Sequence, residues 1–265
     1  MTRMKLKQYH IDCCQGDLAR YVLLPGDPAR ISIISKLWAS FREVARHREY
    51  STNTGVYKGV PISAVSTGIG SPSAGIAVEE LARIGADTMI RVGSCGAIQP
   101  NINCGDLVIS TGAVRLEGTS KQYVRPEYPA VASYEVVLSL IEAAEILGFA
   151  YHVGITASTD SFYCGQGGAG FSGYKSSMTD NLMLDLQRAG VLNLEMETAA
   201  IFTLANLFGL RAGSICTVFS VSPDKFELKG EQDAAQVASE AVKILSEWDL
   251  RKERRDKKYW YPSLR

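Results

Sequence analysis

The sequence has no paired-cysteine motif, only three histidines and no net charge. Its six cysteines, Cys13, Cys14, Cys95, Cys104, Cys164 and Cys216, include no CxxC pair, and the adjacent Cys13 and Cys14 suit neither a disulfide nor a zinc spacing. Such scattered cysteines point to free thiols in a reducing compartment. Equal numbers of basic and acidic residues, 28 of each, leave no global field to draw the chain to nucleic acid or an anionic membrane. No run approaches the ~18 apolar residues that span a bilayer, and the opening stretch MTRMKLKQYHIDCC lacks the apolar segment of a secretory signal. These absences predict a soluble, cytoplasmic protein with no nucleic-acid and no membrane partner. No glycine turn leads into Gly-Lys-Ser/Thr, and none has GxGxxG with a correctly spaced acid, which argues against kinase and dehydrogenase chemistry.

What is present reads as one α/β unit. A chain of 265 residues, 46% of them apolar, suffices for one large core. No internal repeat, long linker or low-complexity block divides it, so residues 1–265 are expected to form a single domain. Short apolar runs at 21–24, 60–66, 87–92, 107–113, 150–156, 192–194 and 212–219 read as strands. Helix-period segments alternate with them at 29–37, through Ala77, Val78, Leu81 and Ile84, and at 133–147, 181–189, 195–208 and 232–250. Residues 93–96 and the glycine-dense 164–173 read as loops. The alternation predicts a central mixed twisted sheet flanked by helices on both faces. From about residue 251 a charged, mainly basic helical tail follows. Its Tyr259, Trp260 and Tyr261 suggest docking on the body or on a neighbouring subunit.

Candidate chemistry gathers at the strand ends. Glu195 and Glu197 flank Met196 in the apolar run VLNLEMETAAIFTLANLF, and acids there are costly to bury without a partner. They are expected to open a helix, where they are either sugar-binding carboxylates or ordinary dipole partners. The turn Pro25-Gly26-Asp27-Pro28 places Arg30 just inside a helix whose N-terminus favours an anion. Arg91, near the end of an apolar strand, needs either a bound anion or an internal carboxylate. Ser94 and the neighbouring glycine amides offer further donors.

PGDPAR, HREY, STGIGSPSAGIAVEEL, IRVGSCGAIQP, TASTDSFYCGQ and NLEMETAAIF occur in this order. In this the chain resembles the hexameric nucleoside phosphorylases, most closely their uridine phosphorylase branch, over about residues 10–245. The resemblance implies a pentosyltransferase that splits a nucleoside with inorganic phosphate as co-substrate and needs no other cofactor. It implies phosphate binding by Gly26, Arg30, Arg91 and Ser94, with Arg48 reaching a neighbouring subunit's phosphate. Ser94 stands where the branch commonly has threonine. His10 would cross the interface to the ribose 5′-hydroxyl, Met196 and Glu197 would hold the ribose, and Glu195 would border that pocket. Arg91, Glu197 and Arg30 would form the catalytic set. Phe162 would stack on the base and Gln166 would bond its polar edge. Glu49, Ile69 and Ser73 match a position where some relatives bind a structural potassium ion between subunits. A homo-oligomer is implied, at least a dimer and in this family a hexamer. Cys95 and Cys164 are expected to be packing residues, because phosphate supplies the nucleophile.

The base-reading residues depart from the pattern. Gly168 stands where uridine phosphorylases have a uracil-binding arginine, and the second arginine of that branch is missing from the run 216–223. Purine phosphorylases of the family place an aspartate after this strand, where this chain has Phe219 and Ser220. The nearest acid, Asp224, comes several residues later. Uridine is the expected substrate, with a purine nucleoside as the alternative. A nucleoside hydrolase and a non-catalytic nucleoside-binding protein are the competing functions. Three phosphate-facing arginines argue against the hydrolase.

Overall fold

Period-two alternation in the first strand, β1 (Tyr21–Leu24), divides the molecule into two faces. Tyr21 and Leu23 enter one apolar cluster while Val22 and Leu24 enter another. The computed structural model describes residues 6–222 and 225–264, so Asp224 lies outside the described residues. Beside β1 lie β4 (Val60–Val65) and β5 (Thr88–Ala97), both parallel to it. The hairpin β2 (Ser40–His47) and β3 (Tyr50–Tyr57) extends this half antiparallel. The other half holds β6 (Leu107–Arg115), β8 (Tyr151–Ser158), β9 (Asn193–Glu195) and β10 (Arg211–Ser222). Short β7 (Ala130–Val131) and β11 (Lys225–Phe226) pair with β6 and β10. The sheet is mixed, as expected, but it also closes on itself. β5 pairs with both β9 and β10, so β5, β10, β6, β8 and β9 form a circuit.

Helices cover both faces. α1 (Arg30–Ser35), α3 (Tyr134–Leu147) and α6 (Glu231–Arg254) bury Ile31, Ile34, Leu140, Val237 and Leu245 on the Tyr21 side. α2 (Ser71–Arg83) and α5 (Thr198–Leu207) bury Ala77, Leu81, Ile201 and Phe202 on the Val22 side. α4 (Leu182–Arg188) packs Leu186 into a smaller cluster with Ala157 and Leu194. The aromatic tail docks on the body: Trp260 stacks on Trp248 with ring centroids 3.9 Å apart, and its backbone N–H donates to Glu135.

Three sequence expectations need correction. Residues 93–96 are strand, because Gly93 and Ser94 continue the parallel register of β5 against Cys216 and Thr217. The helix expected from Glu195 begins at Thr198; Glu195 instead ends β9. The β2–β3 hairpin was not expected at all. Its first strand is mostly exposed and has little apolar alternation to betray it. All six cysteines are free, and no described helix is long and apolar enough to cross a membrane.

Candidate active site

Arg91 lies in β5 on the same side as Met89, which belongs to the α2–α5 cluster. A guanidinium on that buried side requires partners, and two carboxylates supply them. Arg91 Nε donates to Glu195 Oε2 at 2.7 Å, and a terminal nitrogen lies 2.5 Å from Glu197 Oε2. The internal-carboxylate reading of Arg91 therefore holds in this structure. The guanidinium folds back over its own strand. A Cβ at Gly93 would come within 2.7 Å of an Arg91 terminal nitrogen and 2.8 Å of Cys216 Sγ, so the glycine provides clearance.

The two glutamates have different duties. Glu195 receives Arg91 Nε, Ser158 Oγ and the backbone N–H groups of Glu197 and Thr198. It thereby satisfies donors at the buried start of α5, while Ser158 Oγ accepts from Ala199 N–H. With both oxygens engaged by protein, Glu195 holds Arg91 in place. Glu197 accepts from Gly70 N–H on one oxygen and meets Arg91 on the other, which leaves acceptor capacity on each. Burial pushes its carboxyl above the usual range; Arg91 draws it down and Glu195 adds to the rise. The adjacent glutamates in turn keep Arg91 firmly protonated despite its burial. The Met196 carbonyl accepts from Ser71 Oγ, fixing this segment to the start of α2.

The other expected anion-binding groups stand at neighbouring strand ends. Gly26 follows β1, and its carbonyl accepts from Gly68 N–H at 2.9 Å, pressing the turns after β1 and β4 together. Gly68 has φ +71°, and a Cβ there would strike the Glu49 side chain at 2.7 Å. Arg30 opens α1 and donates from Nε to Glu231 Oε1 at 2.8 Å. Its guanidinium carbon sits 5.4 Å from the Phe219 ring centroid. The Ser94 hydroxyl makes no side-chain hydrogen bond among the described residues, unlike the hydroxyls of Ser66, Ser71 and Ser73.

Arg48 is not gathered with these groups. It occupies the tip of the β2–β3 hairpin at φ +54°, exposed, with its guanidinium carbon 6.0 Å from the Tyr9 ring. His10 is held by Glu80, which accepts from the ring Nδ1 at 2.7 Å and from the His10 and Ile11 backbone N–H groups. Glu49 accepts from Ser73 Oγ at 2.9 Å, while neighbouring Ile69 is 79% exposed. Glu49's own backbone N–H and Ser73 hold its carboxyl below the ordinary range, outweighing burial.

The segment after β8 starts at the carboxylates, since Thr159 N–H donates to the Glu195 carbonyl. Phe162 is 61% exposed and meets Tyr163 edge-on. Gln166 ends a single 3-10 turn spanning Cys164–Gln166. Gly168 N–H bonds back to the Tyr163 carbonyl at 3.0 Å, and a Cβ there would lie 3.1 Å from that oxygen. Sequence reasoning missed Glu80 and Glu231, two acids in the helices α2 and α6 that show themselves only through the His10 and Arg30 contacts.

Residues 20–247 match the family model of the Phosphorylase superfamily. The chain is 65% identical over 259 residues to a uridine phosphorylase of Thermococcus kodakarensis, covering 97% of this chain and 94% of that one. It is 41% identical to the uridine phosphorylase of Escherichia coli (90% of this chain, 95% of that one). It is 43% identical over 212 residues to a guanosine phosphorylase of Halorubrum lacusprofundi, covering 80% of this chain and 83% of the relative.

Proposed function

The chain belongs to the Phosphorylase superfamily, and on that premise we propose that it catalyses the reversible phosphorolysis of a nucleoside, uridine first, to free base and ribose 1-phosphate. The observation that carries this reading is the Arg91–Glu197 contact of 2.5 Å. It sets an anion-binding cation against a hydroxyl-binding carboxylate, the adjacency that phosphate and the sugar C1′ require.

Cleavage of the N-glycosidic bond builds positive charge on the sugar, as in glycoside hydrolysis. Glu197 accepts hydrogen bonds from the 2′ and 3′ hydroxyls and offsets that charge. Arg30, Arg91, Ser94 and the Gly26 backbone hold phosphate for attack on C1′, where charge-assisted bonds fix its position. The base leaves as an anion or is protonated as it departs. Phe162 and Gln166 receive the base, and the backbone at Gly168 offers it no cation.

The site is shared between subunits in this reading. Exposed Arg48 completes the neighbour's phosphate site, and His10, aligned by Glu80, reaches the neighbour's ribose 5′-hydroxyl. Two copies are the minimum, and a hexamer is the arrangement proposed. The Glu49 carboxylate, the Ser73 hydroxyl and the Ile69 carbonyl are oxygen donors that suit a hard cation. They would hold a potassium ion at this interface, where it supplies charge between subunits and takes no part in bond cleavage.

A purine nucleoside is the second reading, favoured by the guanosine phosphorylase relative together with the missing side chain at Gly168. A panel of uridine, thymidine, inosine, guanosine and adenosine, each with and without phosphate, tests both. Phosphate-dependent uracil release with ribose 1-phosphate formed in equal amount is the expected result. Binding of nucleosides without any phosphorolysis would favour a non-catalytic role.

A further inference from the structure

Of the three arginines assigned to phosphate, Arg30 and Arg91 are each held at Nε. Arg91 gives its Nε to Glu195, a residue of the site itself. Arg30 gives its Nε to Glu231, 201 residues further along the chain and the first residue of α6. On Arg30 the aromatic ring of Phe219 adds a second restraint at 5.4 Å. Arg30, Glu231 and Phe219 line a small cleft together with Gly93, the residue over which Arg91 folds. Among the described residues the terminal nitrogens of Arg30 have no hydrogen-bond partner.

Glu231 is itself well anchored. Gly230 precedes it in the left-handed region at φ +75°, with its carbonyl accepting from Thr217 Oγ1 at 3.0 Å. A carboxylate in the first turn of a long helix is also favoured by the helix dipole. The Arg30 side chain is only 14% exposed, and that of Glu231 36%.

We propose that Glu231 is a positioning residue for phosphate recognition: it fixes Arg30 at Nε, Phe219 fixes the guanidinium plane, and the two terminal NH2 groups are thereby aimed at the anion. The inference rests on Arg30 being a phosphate ligand. A guanidinium bound at Nε presents only its terminal pair, and ordering it before phosphate arrives removes a rotamer cost from binding. A carboxylate that merely competed with phosphate would have the opposite effect, so the sign of the mutational change decides between them.

The test uses the intact enzyme and its Glu231→Ala, Glu231→Asp and Glu231→Gln variants. Glu231→Ala is expected to raise KM for phosphate about 10-fold, as misaligned binding groups do. KM for the nucleoside and kcat should stay within about 3-fold of the parent, because the bonding of Glu197 is untouched. Glu231→Asp, one methylene short of Nε, should behave like Glu231→Ala. Glu231→Gln keeps an acceptor for Nε and should restore KM for phosphate to within about 3-fold. Calorimetric titration of the resting enzyme with inorganic phosphate alone should show the same order. An unchanged or lowered phosphate KM and dissociation constant in Glu231→Ala and Glu231→Asp overturns the proposal. Phosphate binding by the parent without turnover would defeat the phosphorylase reading but leave this one standing. A parent that neither binds nor uses phosphate would defeat both.

Discussion

At the scale of single residues, the Glu197 carboxyl is pushed above the ordinary glutamate range chiefly by burial, against the pull of Arg91. In its proposed role of holding the ribose, Glu197 must be ionised to accept two hydroxyl hydrogen bonds, so its protonation is expected to remove activity. Because the shift is upward, the protonated form persists to higher pH than for a free glutamate of pKa ~4.3. The acid limb of kcat/KM is therefore expected above that value, and Glu197→Gln should abolish it. The same variant is expected to lose at least about 100-fold in kcat/KM, the scale for removing one group that stabilises transition-state charge. Rate profiles from pH ~4 to ~9 check both points. Near-normal turnover in Glu197→Gln would contradict the ribose role. Glu195 cannot substitute for it, since its oxygens already receive Arg91, Ser158 and two backbone N–H groups.

At the scale of elements, Asp249 of α6 ties that helix to β1 and β10. It accepts from Tyr21 Oη at 2.6 Å and from both terminal nitrogens of Arg211, and it meets Lys252 at 2.9 Å. Burial alone would raise its carboxyl, but the donors Arg211, Tyr21 and Lys252 outweigh burial and hold it far below the ordinary range. A folded-state pKa below the unfolded value means stability that is present above pH ~3.9 and lost as pH falls from there toward the folded value. Asp249→Asn is expected to cost about 3 kcal/mol at neutral pH, as when a buried ion loses its partner. Denaturant titrations should show the gap between variant and parent shrinking below pH ~4. A gap that does not change with pH would show that the charge is not the cause.

Much of this element layout was legible beforehand, since the apolar runs and helix-period segments found nearly all the main strands and helices. The misses share a physical origin in long-range contacts. Gly93 and Gly96 looked like loop formers, yet Gly93 is small because a guanidinium from two residues earlier lies over it. Closure of the sheet through β5 and β10 joins residues more than 120 positions apart, which no local pattern records. The site was legible as types of group, two acids and several cations, while the division of labour between Glu195 and Glu197 needed the hydrogen bonds.

At the scale of the whole molecule, the proposed shared site sets exposed Arg48 of one copy against the phosphate of another. Arg48→Ala and Arg91→Ala should each be severely impaired alone. Mixed after denaturation and refolding, the two variants should regain activity. In a two-fold arrangement half the dimers are mixed, and each mixed dimer holds one intact site of two, giving about one quarter of parental activity. No recovery on mixing, with each variant folded, would place Arg48 in its own subunit's site or outside any site.

The central claim is that phosphate, held beside the Arg91–Glu197 pair, is the nucleophile. Base release from uridine by the intact enzyme, measured with and without inorganic phosphate while ribose 1-phosphate is quantified, tests it most directly. Release that requires phosphate, with one ribose 1-phosphate per uracil, is the predicted result; equal release in phosphate-free buffer, yielding free ribose, would contradict it.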